Sequence, residues 1–138
     1  MIKEITGLHH ITSMASNADA NNVFFTKTLG LRRVKKTVNF DAPEVYHLYY
    51  GDEIGTPGSI MTYFPFAKMS PGQRGAGEVS ITEFAVPKDA LGFWKERLSA
   101  LGVSSLIESS FLGEKRLSFD GPDGDGFALV ESDVRDRT

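Results

Sequence analysis

Slid along itself by 70 residues, this 138-residue chain meets its own pattern. Ile11-Thr12 falls on Ile81-Thr82, Ala15 on Ala85, Asp19-Ala20 on Asp89-Ala90 and Phe24 on Trp94, and two extra residues in the second copy bring Leu29-Gly30 onto Leu101-Gly102. Each copy opens with a β-branched, strand-like segment. An amphipathic stretch ending in Leu-Gly follows, a helix closed by a glycine C-cap, and then three β-rich segments. A supersecondary unit written twice must be folded twice, so the expected architecture is two βαβββ modules with mixed sheets, an α+β fold. The modules span about residues 5–66 and 78–133, joined by the loop 67–77, within a single domain covering 1–138.

The local signals fill in that outline. "HHITSMA" reads as the first strand, "NADANNVFFTKTLG" as a helix near 19–29, and "LRRVKKTVNF", "EVYHLYYGD" and "GSIMTYFPF" as three strands parted by turn-forming residues. The Gly-rich "AKMSPGQRGAG" is the longest loop. A second helix is expected near 88–101, followed by strands in "SSLIESSF", "EKRLSFDGPD" and "GFALVES".

Composition removes several kinds of function. A net charge of -3 provides no basic field for nucleic acid, and apolar runs such as "FALV" are too short to span a bilayer. The opening "MIKEITG" lacks the apolar centre of a signal peptide, and the chain has no cysteine, a pattern that fits the cytoplasm. Without thiolates, any metal must be held by imidazole and carboxylate. There are only three histidines, and two of them, His9 and His10, are adjacent on the first strand. Successive strand residues point to opposite faces, so at most one can face a given interior.

The tandem βαβββ pattern resembles the vicinal oxygen chelate superfamily, which includes glyoxalase I, bleomycin-resistance proteins and extradiol dioxygenases. The strings "LHHIT", "LGLRRVKKTVNFD", "YHLYYGDEIGTPGSIMTYFP" and "FAVPKDALGFW" are similar to the N-terminal half of two-domain dioxygenases that open hydroquinone rings. That resemblance implies a divalent metal with open coordination positions for substrate oxygens, held by ligands from the first and fourth strands of each module. Two imidazoles and one carboxylate on one side of the ion would suit Fe(II).

Carried onto this chain, the four ligand positions read His10, Thr62, Ser80 and Ala128. Ser80 follows from the offset of 70, and Ala128 from matching "GSIMTYF" with "GDGFALV". His10 is thus the one metal ligand the resemblance implies, with the remaining histidine and glutamate expected from a C-terminal half. His9 and Thr12 are implied to lie near the substrate as catalytic groups. Thr62, Tyr63, Phe64 and Phe84 are the expected substrate-pocket residues, with Phe66 beside them. Fe(II) or Mn(II) is the expected metal, bound weakly or not at all by the isolated chain.

The remaining candidates have plainer readings. His47 in "VYHLYYG" reads as a hydrogen-bonded structural histidine, and Glu131 as a rim residue. Glu83 falls on the face alternate to Ser80 and so reads as a poor ligand. "RRVKK" reads as a charged edge strand and "GPDGDG" as a turn. Three function classes stay open: a ring-cleaving dioxygenase acting on a hydroquinone or catechol-type aromatic, a metal-free dimeric binding protein of bleomycin-resistance type, and a catalytically silent domain. The expected partners are a small aromatic molecule and a second copy of the chain, with neither nucleic acid nor membrane.

Overall fold

The computed structural model describes residues 4, 5 and 7 to 132; Thr6 and the module limit expected at 133 lie outside them. The chain divides into two compact units, Met1–Ser70 and Pro71–Thr138. The first holds β1 (His10–Ala15), α1 (Ala18–Val23), a π-helical turn (Phe24–Thr28), β2 (Arg32–Val38), β3 (Tyr46–Gly51) and β4 (Ile60–Pro65). The second holds β5 (Thr82–Val86), α2 (Leu91–Ala100), β6 (Ile107–Phe111), β7 (Glu114–Asp120) and β8 (Gly126–Glu131). The sheet orders are β1-β4-β3-β2 and β5-β8-β7-β6. In each, the first strand runs parallel to the fourth and the other pairs are antiparallel. This is the α+β, twice-written βαβββ architecture expected from the repeat. No helix among the described residues is long and apolar enough to cross a membrane.

In the first unit, Asn17 caps α1 by accepting hydrogen bonds from the Asp19 and Ala20 amides. The single helix expected near 19–29 is instead α-helical to Val23 and then widens, with the Leu29 amide reaching back five residues to the Phe24 carbonyl at 3.0 Å. The widened turn buries Phe24, Phe25 and Thr28 together. Phe25 stacks on Tyr50 with ring centroids 4.8 Å apart and meets Tyr63 at 5.0 Å. Burial pushes the Tyr50 phenol up to about 12.

In the second unit, α2 lies against β7 and β8. Its expected start at 88 moves to Leu91 because Asp89 adopts a left-handed backbone, φ 63°, which no right-handed helix admits. Leu98 is the residue α2 buries fully, and the sheet presents Leu117, Phe119, Phe127 and Leu129 as a buried set.

The registers correct one element of the repeat. Ile11 pairs with Met61 and Thr82 with Phe127, and Met61 and Phe127 are 66 residues apart, like Gly58 and Gly124. Ile11 therefore corresponds to Thr82, an offset of 71 rather than 70 in the first strands. The burial strings agree, reading the same at 10–15 and 81–86. The counterpart of His10 is thus Ile81, not Ser80, and the four ligand positions read His10, Thr62, Ile81 and Ala128.

Candidate functional site

Strand alternation sorts the first unit's sheet into two faces. Met61 and Tyr63 of β4, with Leu48 and Tyr50 of β3, are buried on the face carrying the Phe25 aromatic contacts. The other face takes His10, Thr12 and Met14 from β1, Thr62 and Phe64 from β4, and His47 and Tyr49 from β3, as the pairings His10 to Ile60, Thr12 to Thr62, Met14 to Phe64 and Tyr49 to Thr62 require.

Side-chain contacts knit this second face together. Thr12 and Thr62 share a hydrogen bond, with Oγ1 atoms 2.8 Å apart. Thr62 Oγ1 also meets His47 Nε2 at 3.1 Å, and His47 Nδ1 meets the Tyr49 hydroxyl at 2.9 Å. The His47 ring lies 4.0 Å from that of Phe64, and Phe66 continues the aromatic line 6.5 Å beyond. Thr62 is fully buried, whereas Thr12 and His10 are exposed, so the network runs from the sheet interior to an accessible hydroxyl. Desolvation holds the His47 imidazole below its ordinary range, and the nearby His10 and the Lys35 ammonium act in the same direction.

His9 lies just before β1 and touches its neighbour: the two Nδ1 atoms are 3.0 Å apart and the rings meet edge to face. One Nδ1 must carry the proton and the other accept it. His10 therefore has only Nε2 left to offer a ligand, with its orientation set by His9.

The structure brings His9, His10, Thr12, Thr62 and Phe64 into one neighbourhood, but not every expected pocket residue. Tyr63 needs correcting: adjacent to Thr62 in sequence, it points to the opposite face and is core, tilted against Phe25. Phe84 belongs to the second unit, where it meets Phe127 at 6.1 Å on the buried side of that sheet. The one-residue register change also moves Glu83. It corresponds to Thr12, pairs with Ala128 and makes an ion pair with Arg116 at 2.7 Å. Glu131 accepts from the Leu91 amide at the start of α2. "RRVKK" forms the exposed edge strand β2, and "GPDGDG" is the turn from β7 to β8, closed by the Gly121 amide on the Asp125 carbonyl at 2.8 Å.

His47 and Tyr49 are the site residues that sequence reasoning undervalued. Their two-residue spacing on a strand already placed them on one face. The β3 to β4 register then brings Thr62 between them and Thr12.

The donor set tests whether a metal fits here. Both nitrogens of His47 are engaged, by Thr62 and Tyr49, leaving no lone pair for a metal. His10 offers one nitrogen, and among the described residues no three His, Asp or Glu side chains come together to hold a metal ion. The residues described here do not by themselves fit a metal centre.

No family model matches the chain. It is 48% identical over 125 residues to the Bacillus subtilis protein named "Putative ring-cleaving dioxygenase MhqE", over 91% of this chain and 41% of that protein. It is 41% identical over 135 residues to chlorohydroquinone/hydroquinone 1,2-dioxygenase of Sphingobium indicum, over 96% and 42%. A solved structure described as a "putative dioxygenase" from Bacillus subtilis superimposes with a TM-score of 0.90 at 43% identity, over 95% of this chain and 42% of that one. The fosfomycin resistance protein FosX from Listeria monocytogenes shares the fold, with a TM-score of 0.72 at 18% identity over 95% and 97%. The chain thus spans about two fifths of the length of the curated relatives it matches.

Proposed function

We propose that this chain, a member of the vicinal oxygen chelate superfamily, forms part of a ring-cleaving dioxygenase acting on a hydroquinone or catechol-type aromatic. The observation that carries this reading is the face of the first unit where His10 and Thr12 stand beside Met14 and Phe64. A polar edge next to an apolar wall suits a small aromatic ring bearing hydroxyls. The ring lies against Phe64 and Met14, and Thr12 Oγ1 hydrogen-bonds a ring oxygen. Were an Fe(II) or Mn(II) ion bound in the whole enzyme, His10 Nε2 would be one of its ligands and the others would have to come from outside the residues described here, with His9 orienting His10. The names of the relatives support the substrate class. A FosX structure of the same fold is complexed with Mn(II), which supports the choice of ion.

The chain also pairs as a homodimer in the cytoplasm. Exposed apolar side chains, Leu8, Phe40, Phe111 and Leu112 among them, support the first, and a cysteine-free sequence the second.

Oxygen uptake tests the reading. The chain is joined to the C-terminal remainder of MhqE, loaded anaerobically with Fe(II) and given methylhydroquinone. Uptake should appear, and His10→Ala should abolish it along with bound iron. Uptake that survives His10→Ala would overturn the assignment of His10. Ligand binding without iron or uptake would favour a metal-free binding protein instead.

A further inference from the structure

The four side chains Tyr49, His47, Thr62 and Thr12 form an unbroken line of hydrogen bonds of 2.9, 3.1 and 2.8 Å. Such a line can run in either of two directions, because each hydroxyl has one proton and a neutral imidazole has one N–H. In one, Tyr49 O–H donates to His47 Nδ1, Nε2–H donates to Thr62, and Thr62 O–H donates to Thr12. The Thr12 proton is then free to point outward. In the other, His47 Nδ1–H donates to Tyr49, Thr62 donates to Nε2, and the Thr12 proton is consumed by Thr62. Only lone pairs then face outward.

The first direction is favoured by the chemistry of its ends. A phenol O–H is a better donor than an imidazole N–H, and an imidazole nitrogen is a better acceptor than a phenol oxygen. The Lys35 ammonium, 5.4 Å from the Tyr49 ring centroid, adds to the positive surroundings that keep His47 neutral and the line polarised.

The repeat shows that this line is no requirement of the fold. At the matching positions of the second unit stand Glu83 for Thr12, Ala128 for Thr62, Arg116 for His47 and Ser118 for Tyr49, as the paired registers give them. There an ion pair between Glu83 and Arg116 replaces the line, and the alanine in the Thr62 position is fully buried without a hydroxyl. The same backbone thus forms with quite different side chains.

We propose that Tyr49, His47 and Thr62 are positioning residues that fix the Thr12 hydroxyl as a donor toward a ring oxygen of the aromatic ligand. The proposal rests on the reading of this face as an aromatic-diol site and deepens it: a hydroxyl held as a donor selects a deprotonated, phenolate-like oxygen over a neutral hydroxyl. A hydrogen bond to a charged partner is the stronger kind, and the expected preference is about tenfold.

Two measurements on the intact chain test it, and neither needs metal or turnover. Imidazole nitrogen NMR at about pH 8, where histidine is neutral, should find His47 protonated on Nε2, and Tyr49→Phe should shift the proton toward Nδ1. At the same pH, 4-nitrophenol, which is ionised, should bind about tenfold more tightly than 4-methylphenol, which is not. Thr62→Val should remove most of that preference and Thr62→Ser should restore it. His47 protonated on Nδ1 in the unaltered chain, or a preference unchanged in Thr62→Val, would overturn the proposal. Failure of the dioxygenase reading would appear separately, as lost oxygen uptake with the NMR signature intact.

Discussion

His47 shows how much one side chain's surroundings decide. Its imidazole is held below its ordinary range by desolvation first, then by His10 and Lys35, so the native state disfavours its charged form. The linkage sign follows. An unfolded chain takes up the proton at the ordinary histidine value, near pH 6.5, while the folded chain waits for a lower pH. Between those two points the unfolded state holds more protons, so folding weakens as pH falls and is unaffected by this group above the ordinary value. Urea midpoints measured at about pH 7.5 and about pH 5 should therefore drop more for the unaltered chain than for His47→Gln, in which the titrating ring is gone. An equal drop in both would show that His47 carries no such linkage.

At the scale of elements, the strand and helix order and the twofold repetition were legible because hydrophobic periodicity and Leu-Gly stops depend on local chemistry alone. Register was not. "ITSMA" and "ITEFA" match letter for letter at their start, but the helix-packed side of β5 carries Thr82, Phe84 and Val86, so the burial pattern aligns one residue later. One residue of slip exchanges every face, which is why a letter match puts Ser80 where Ile81 belongs and Glu83 on the wrong side. Likewise, the sequence shows His47, Tyr49 and Thr62 but not that β3 lies beside β4 in the register that joins them. Packing of α2 offers a test at this scale. Leu98 is fully buried while Phe93 is 61% exposed on the same helix. Leu98→Ala should cost about 2 to 5 kcal/mol in chemical denaturation, and Phe93→Ala within about 0.5 kcal/mol of nothing. Equal costs would mean that α2 is not anchored through Leu98.

For the whole molecule, the decisive quantity is the number of ligands this chain can give a metal. At the ligand positions among the described residues, the first unit supplies one imidazole nitrogen at His10, the second supplies Ile81 and Ala128, and the other histidine on the same face is saturated by Thr62 and Tyr49. One nitrogen leaves a divalent ion mostly to water and buffer, whereas three converging side chains hold it. Its relatives named for ring cleavage are more than twice as long as the region this chain matches. The most direct measurement is the iron content of the isolated chain after anaerobic loading with Fe(II) and gel filtration, beside His10→Ala. Far less than one iron per chain is expected in both. One tightly held iron per chain, lost in His10→Ala, would contradict it.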